Sequence, residues 1–278
     1  MSKVIYSTGK VILAGAGPGD PDLITLKALR YLQNADVVIV DRLVSEDLLT
    51  RHVKAGAKVI RVGKQAGNNF STPQKDINDL LVEFAQYNQL VVRLKGGDVS
   101  FFSNMLEELN TLVAHRIPYE IIPGVTAASG AAACAGIPLT ARGYASAVRF
   151  LTYYRDVVWD EALWKDLAAT DDTLVFYMSA EGLDTLVEKL LNNGISPDKH
   201  MVVIEQATTP SQKVHLFSLE DYEEKIWDTR FSSPSLIMVG RVTILHKEFQ
   251  WVPNFSSRKN YFTPLQESPT NNRVHNAC

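Results

Sequence analysis

The run Val91-Val92-Arg93-Leu94-Lys95-Gly96-Gly97-Asp98 constrains the fold of this chain more than any other. β-favouring residues interleaved with two bases lead into a diglycine and a carboxylate, as a strand does when it ends in a ligand-binding turn. A central strand of a parallel sheet is usually apolar on both faces, so Arg93 and Lys95, sharing one face, need anionic partners. Tandem glycine lets a ligand lie against bare backbone, with Asp98 facing whatever is bound. The same spacing also suits a plain strand-to-helix loop in which Asp98 is an N-cap. The surrounding pattern decides between the two.

That pattern alternates. Val11 to Ala14 is a short buried strand entering Gly15-Ala16-Gly17-Pro18-Gly19-Asp20. Asp20 is then expected to cap a helix with Pro21 in first position and Leu23, Leu26, Leu29 and Leu32 as its apolar face. Strands at Val37–Val40, Lys58–Val62, Leu90–Leu94 and Tyr119–Ile122 alternate with helical segments opened by Thr72-Pro73 and lying around Leu106–Val113. This order predicts a mostly parallel sheet. An alanine-rich helix, Ala127–Ala135, follows Pro123-Gly124 and opens a second α/β half. Its strands are expected at Ala147–Leu151, Thr173–Tyr177, His200–Ile204, Lys213–Ser218 and Leu236–Val239, with hairpin-like spacing that implies a mixed sheet. Gly194 should end a helix over Leu183–Asn192. The division is therefore 9–123, an N-terminal α/β domain, and 124–252, a C-terminal one, with 253–278 a mobile polar tail. A chain of 278 residues has the length for two domains at roughly 150 residues each.

Composition narrows the partners. Lys+Arg 28 against Asp+Glu 31 leaves a net charge of -3 without a dense basic run, so nucleic acid is not expected. No apolar stretch approaches the roughly 20 residues needed to cross a membrane. The six histidines are scattered, without a paired-ligand spacing, and no metal is expected. Cys134 and Cys278 make no disulfide framework, and the start of the chain has no leader pattern, so a cytoplasmic protein is expected.

Gly15-Ala16-Gly17-Pro18-Gly19-Asp20, with Asp41 further on, invites a dinucleotide fold. The fingerprint fails at its sixth position, where Asp20 places a carboxylate in the path of a pyrophosphate approaching the helix N-terminus. A ligand without phosphates is favoured. S-adenosylmethionine is such a ligand: its sulfonium is positive, and its ribose hydroxyls suit a carboxylate such as Asp98.

The motifs Gly15-Ala16-Gly17-Pro18-Gly19-Asp20-Pro21, Asp41-Arg42-Leu43-Val44, Val62-Gly63-Lys64, Thr72-Pro73-Gln74, Arg93-Leu94-Lys95-Gly96-Gly97-Asp98, Pro123-Gly124-Val125-Thr126 and Gly136-Ile137-Pro138-Leu139-Thr140 stand in the order and spacing of the tetrapyrrole methylases, and the chain resembles that family over about Gly9 to Val242. Within the family it is most similar to the uroporphyrinogen-III C-methyltransferases. The resemblance implies two α/β domains with a cofactor cleft between them, a homodimer, and S-adenosylmethionine as methyl donor. It implies C-methylation of uroporphyrinogen III to precorrin-2, on the route to sirohaem and cobalamin. It also implies roles by position: Pro18, Gly96, Gly97, Asp98, Phe101, Thr126, Ala127, Met178 and Ala207 line the cofactor, Asp41 accepts a proton, and Lys64 donates one. The substrate is rich in carboxylates, so Arg42, Lys64, Arg142 and Arg149 are candidates to meet it.

The chain departs from the family pattern on the substrate side and the cofactor rim. Gly-Gly-Asp usually continues through Pro into Gly-Arg-Gly, where this chain has Val99-Ser100-Phe101-Phe102-Ser103-Asn104-Met105. His-Arg-Asp-Tyr becomes Ala141-Arg142-Gly143-Tyr144, and Ala207 adds a methyl where a glycine would leave backbone bare. Two alternatives follow: a paralogue acting on a later corrinoid precursor or another anionic tetrapyrrole, or a protein that binds the cofactor without turnover.

Overall fold

A computed structural model of the protein describes residues 9–63, 71–87, 89–153, 158–196, 199–222, 226–227, 229–254 and 260–262. The chain forms two compact units, the first from 9–16, 24–124 and Phe262, the second from 17–23 and 125–261.

The first unit runs β1 (Lys10–Gly15), α1 (Leu26–Asn34), β2 (Val37–Asp41), α2 (Glu46–His52), β3 (Lys58–Val62), α3 (Gln74–Gln86), β4 (Leu90–Lys95), α4 (Met105–Ala114) and β5 (Tyr119–Ile122). Its sheet has the order β3-β2-β4-β1-β5, with every pair parallel. Helices cover both faces, which is why β1, β2 and β4 are almost continuously apolar. Ile12, Ala14, Val38, Val40, Val92 and Leu94 pack with Ala28, Leu32 and Leu48. Val11, Leu13, Ile39 and Val91 pack on the other side with Ile77, Leu81, Phe84 and Leu112. Since the strands share one direction, Gly15, Asp41 and Lys95 all end on the same edge, where α/β sheets bind ligands.

One helix starts later than its sequence pattern suggests. Asp20 accepts the Asp22 amide at 2.9 Å and caps only a 3-10 turn, Pro21–Leu23, while Thr25 caps α1 by accepting from Ala28. The later start turns the helix, so Ala28 and Leu32 are buried and Leu26 is 72% exposed. Leucine spacing alone did not separate the turn from the helix.

The second unit contains α5 (Ala127–Ala135), β6 (Val148–Thr152), α6 (Glu161–Ala169), β7 (Thr173–Tyr177), α7 (Leu183–Asn192), β8 (His200–Glu205), β9 (Lys213–Ser218), β10 (Ser235–Gly240) and α8 (His246–Phe249). The sheet order is β6-β7-β10-β8-β9. Only β6 and β7 pair in parallel, so the sheet is mixed as the hairpin-like spacing implied. Small side chains on α5 let it lie close to this sheet: Ala128, Ala131, Ala132 and Ala135 pack with Val175, Ile204 and Met238. Gly194, at φ 78°, follows α7 in the left-handed conformation a C-cap favours. Most of the tail from 253 lies outside the described residues. Within it, Asn254 accepts from the Val214 amide at 2.8 Å and donates to its carbonyl at 3.1 Å. Among the described residues no helix is long and apolar enough to cross a membrane.

Candidate functional site

In the first unit the strand ends carry a buried charge network. The Arg93 guanidinium, 2% exposed, donates through Nη2 to Asp41 Oδ1 at 2.5 Å and through Nε to Glu108 Oε1 at 3.0 Å. Its Nη1 reaches the Ile39 carbonyl at 3.3 Å. Lys95 Nζ donates to the same Glu108 oxygen at 2.9 Å. The anionic partners that the two strand cations require are therefore Asp41, at the end of β2, and Glu108, in the first turns of α4. Burial opposes the Arg93 charge, yet the two carboxylates outweigh it and hold the guanidinium above the ordinary arginine pKa. For Lys95 burial wins, with the neighbouring Arg93 charge adding to it, so the ammonium lies below the ordinary lysine value despite Glu108. Asp41 keeps its side chain 27% exposed, and among the described residues its second oxygen takes no protein donor.

The diglycine turn is stitched by the next carboxylate. Asp98, 7% exposed, accepts the Ser100 amide through Oδ1 and the Gly124 amide through Oδ2, both at 2.7 Å. It so ties the end of β4 to the turn after β5. Backbones meet closely here, and a Cβ on Gly15 would stand 2.6 Å from the Gly97 carbonyl oxygen and 2.7 Å from the Gly124 Cα. Gly97 adopts φ 69°. Beyond the turn Phe101 meets Phe102 edge-on, centroids 6.5 Å apart. Phe102 and Asn104 hold φ 50° and 55°, the left-handed conformation that non-glycine residues adopt less often. Arg42 is half-buried, and that burial lowers its pKa. Lys64 lies outside the described residues.

In the second unit Pro18, Thr126, Ala127, Met178 and Ala207 come to one edge. A Cβ on Gly130 of α5 would stand 2.6 Å from Pro18 Cγ, which shows how closely the proline loop rests on that helix. The Asp20 amide donates to Thr208 Oγ1 at 3.0 Å, joining the same loop to the 206–209 turn. At the end of β7 the Tyr177 hydroxyl lies 2.7 Å from Thr126 Oγ1 and accepts the Ala128 amide at 3.1 Å, satisfying the open N-terminus of α5. Met178 follows with φ 55° and 48% exposure, and Gln206 and Thr208 flank Ala207 at φ 44° and 66°. Non-glycine residues in this conformation gather at ligand clamps more than in plain turns.

Arg142 and Arg149 are placed elsewhere. β7 begins at Thr173, whose hydroxyl donates to the Leu139 carbonyl at 2.8 Å, and ends at Tyr177 on α5, so the 139–146 loop and Met178 occupy opposite ends of one strand. Arg142 lines a concavity of about 550 Å³ with Tyr144, Asp171 and Arg241. Arg149 donates to Asp172 Oδ2 at 2.6 Å, to Thr170 Oγ1 at 3.1 Å and also to Asp166. These bonds tie β6 to the end of α6. Sequence reasoning missed Glu108 and Tyr177. Unbalanced cations on β4 signalled that an acid was required but not which one, since the packing of α4 is what brings Glu108 to them.

Comparison with known proteins supplies the context. The family model for tetrapyrrole (corrin/porphyrin) methylases matches residues 10–223. A siroheme synthase of Saccharophagus degradans is 43% identical over 250 residues, covering 90% of this chain and 54% of its own length. Siroheme synthase 3 of Aeromonas hydrophila is 47% identical over 245 residues, 88% of this chain and 52% of its own. The chain thus spans about half the length of these relatives. Among solved structures, uroporphyrin-III C-methyltransferase from Thermus thermophilus superposes with a TM-score of 0.72 at 33% identity, covering 89% of this chain and 98% of that one. The same enzyme complexed with S-adenosyl homocysteine gives 0.69 at 34% identity, covering 84% and 93%. A cobalt precorrin-4 methyltransferase gives 0.74 at 30% identity, covering 84% and 95%.

Proposed function

The chain belongs to the tetrapyrrole methylase family, and from that premise we propose that it methylates pyrrole carbons of uroporphyrinogen III to give precorrin-2. Members of the family are methyltransferases that use S-adenosylmethionine. The observation that carries the substrate assignment is the match to uroporphyrin-III C-methyltransferase at 33% identity over 98% of that chain.

The residues present suit a sulfonium nucleoside. Gly97, part-exposed at φ 69°, offers backbone without a side chain, Gly96 packs on Leu43 in the space a Cβ would take, and each Asp98 oxygen keeps a lone pair beyond its backbone bond for a ribose hydroxyl. Within the first unit, Gly96, Gly97, Asp98 and Phe101 are the residues proposed to meet the cofactor; Pro18, Thr126, Ala127, Met178 and Ala207, within the second, are proposed as cofactor residues on the family resemblance. When bound, S-adenosylmethionine supplies an electrophilic methyl group. The protein's own contribution is to orient the pyrrole carbon and to take up the proton that leaves the macrocycle. Asp41 suits the uptake of that proton, because Arg93 fixes one oxygen, the side chain is 27% exposed, and among the described residues no donor takes the other oxygen. Lys64 is proposed as the proton donor and Arg42 as a carboxylate ligand; Arg142 leaves the substrate set, because its loop lies at the end of β7 opposite Met178. Arg149 is dropped from the substrate set, since Asp166, Thr170 and Asp172 already take its donors. A homodimer and a cytoplasmic setting belong to the same proposal.

Methyl-labelled S-adenosylmethionine with reduced uroporphyrinogen III tests it. The expected product is labelled and dimethylated. Label appearing only on a cobalt precorrin would favour the second reading, a paralogue for a later intermediate, which the 0.74 TM-score to a cobalt precorrin-4 methyltransferase and the altered 99–105 segment support. No label in any tetrapyrrole, with S-adenosylhomocysteine still bound, would leave a cofactor-binding protein.

A further inference from the structure

Glu108 has no place in the reaction as proposed, yet it is a fully buried carboxylate in the first unit, and burying a charge is costly unless it is paired. It is 0% exposed, and its Oε1 accepts from both Arg93 Nε and Lys95 Nζ. Its Oε2 is buried and, among the described residues, has no hydrogen-bond partner. Here one oxygen takes both donors, which fixes the guanidinium plane from its Nε side while Nη2 points at Asp41. We propose that Glu108 is a positioning residue for the methyl transfer reaction. Through Arg93 it sets the orientation of the Asp41 carboxylate, so that one Asp41 oxygen is clamped and the other faces the proton it accepts.

The inference rests on the reading of Asp41 as proton acceptor. The chain of contact is continuous and lies wholly within the first unit: α4 supplies Glu108, β4 supplies Arg93, and β2 supplies Asp41. Arginine suits the middle place because its planar fork transmits orientation, which a lysine ammonium does not. Lys95 competes for the same oxygen and is the group whose charge Glu108 would be balancing if its role were structural.

Steady-state kinetics on the full chain separate the two roles. Glu108→Leu should lower kcat about 100-fold, as expected for a catalytic group displaced by about an ångström, with KM for uroporphyrinogen III and affinity for S-adenosylhomocysteine within about 2-fold. Glu108→Gln, which keeps an oxygen for Arg93 Nε, should recover most of that loss. The double variant Lys95→Met/Glu108→Leu removes the unbalanced ammonium, and should recover melting temperature without recovering kcat. A folded Glu108→Leu protein with wild-type kcat overturns the proposal, as does a double variant in which kcat returns together with stability. Should Glu108→Leu not fold, the Gln and double variants decide by the same criteria. Asp41→Asn keeps the outcomes distinct: if it is fully active, the reading of Asp41 has failed, whereas if it is inactive while the Glu108 variants are not, only this inference has.

Discussion

Asp41 and Asp98 end neighbouring segments of one sheet edge, yet their surroundings assign them different work. Asp98 spends one lone pair of each oxygen on a backbone amide, so Asp98→Ala leaves the Ser100 and Gly124 donors without their partner. Each such loss costs about 1–3 kcal/mol, and the variant should melt lower and bind S-adenosylhomocysteine more weakly in calorimetry. Asp41→Asn removes a part-exposed carboxylate clamped by Arg93. Turnover should fall by about 100-fold or more with S-adenosylhomocysteine affinity nearly unchanged. Equal losses of affinity in the two variants would show that cofactor holding and proton acceptance have been wrongly divided. Arg93 and Lys95 were legible as cations in need of partners because their spacing on a buried strand admits no other reading. Which acids answered them was not legible, since Glu108 reaches β4 only through the packing of α4.

At the scale of elements, hydrogen bonds at strand and helix ends hold the candidate residues in place. The Tyr177 hydroxyl secures the start of α5 beside Thr126 and Ala127. Tyr177→Phe should cost about 1–2 kcal/mol in thermal or chemical unfolding and loosen S-adenosylhomocysteine binding. Unchanged binding with lowered stability would make the contact a helix cap and nothing more. A second stitch joins β1, α1 and β5, where Glu120 accepts from Lys10 and Tyr31 and also meets Lys27. Bonds from Lys10, Lys27 and Tyr31 hold its carboxyl down at about 2, below the ordinary glutamate value. A depressed carboxylate contributes stability above its unfolded pKa and loses it as pH falls through the folded one. The melting-temperature gap between wild type and Glu120→Gln should therefore be full above about pH 4.5 and close toward about pH 2. A gap that stays constant over that range would contradict the stitch. The parallel sheet could be read from βα alternation, and the mixed sheet from hairpin-like spacing. The start of α1 could not, because a 3-10 turn and a helix present the same leucines until the Thr25 cap fixes the phase.

On the scale of the whole molecule, each unit was recognisable from its own periodicity, and the family from motifs that fall mostly at strand ends. Those ends are where backbone must approach backbone or ligand, so their glycines and acids are the least replaceable residues and the easiest to recognise. Tertiary placement was harder to read. Arg142 and Arg149 share basic chemistry with a carboxylate-binding site, but Arg149, on β6, and Arg142, in the loop before it, lie beside the start of β7, at the end opposite Met178. The chain spans about half the length of the siroheme synthases it resembles, and the activity proposed for it is the methylation of uroporphyrinogen III alone.

The central claim is that a sulfonium nucleoside binds against the diglycine turn of the first unit. Crystals of the protein grown with saturating S-adenosylhomocysteine test it directly. The account predicts nucleoside density against the Gly96 and Gly97 backbone with ribose hydroxyls on Asp98. Density seated anywhere else, or none at that turn, would contradict it.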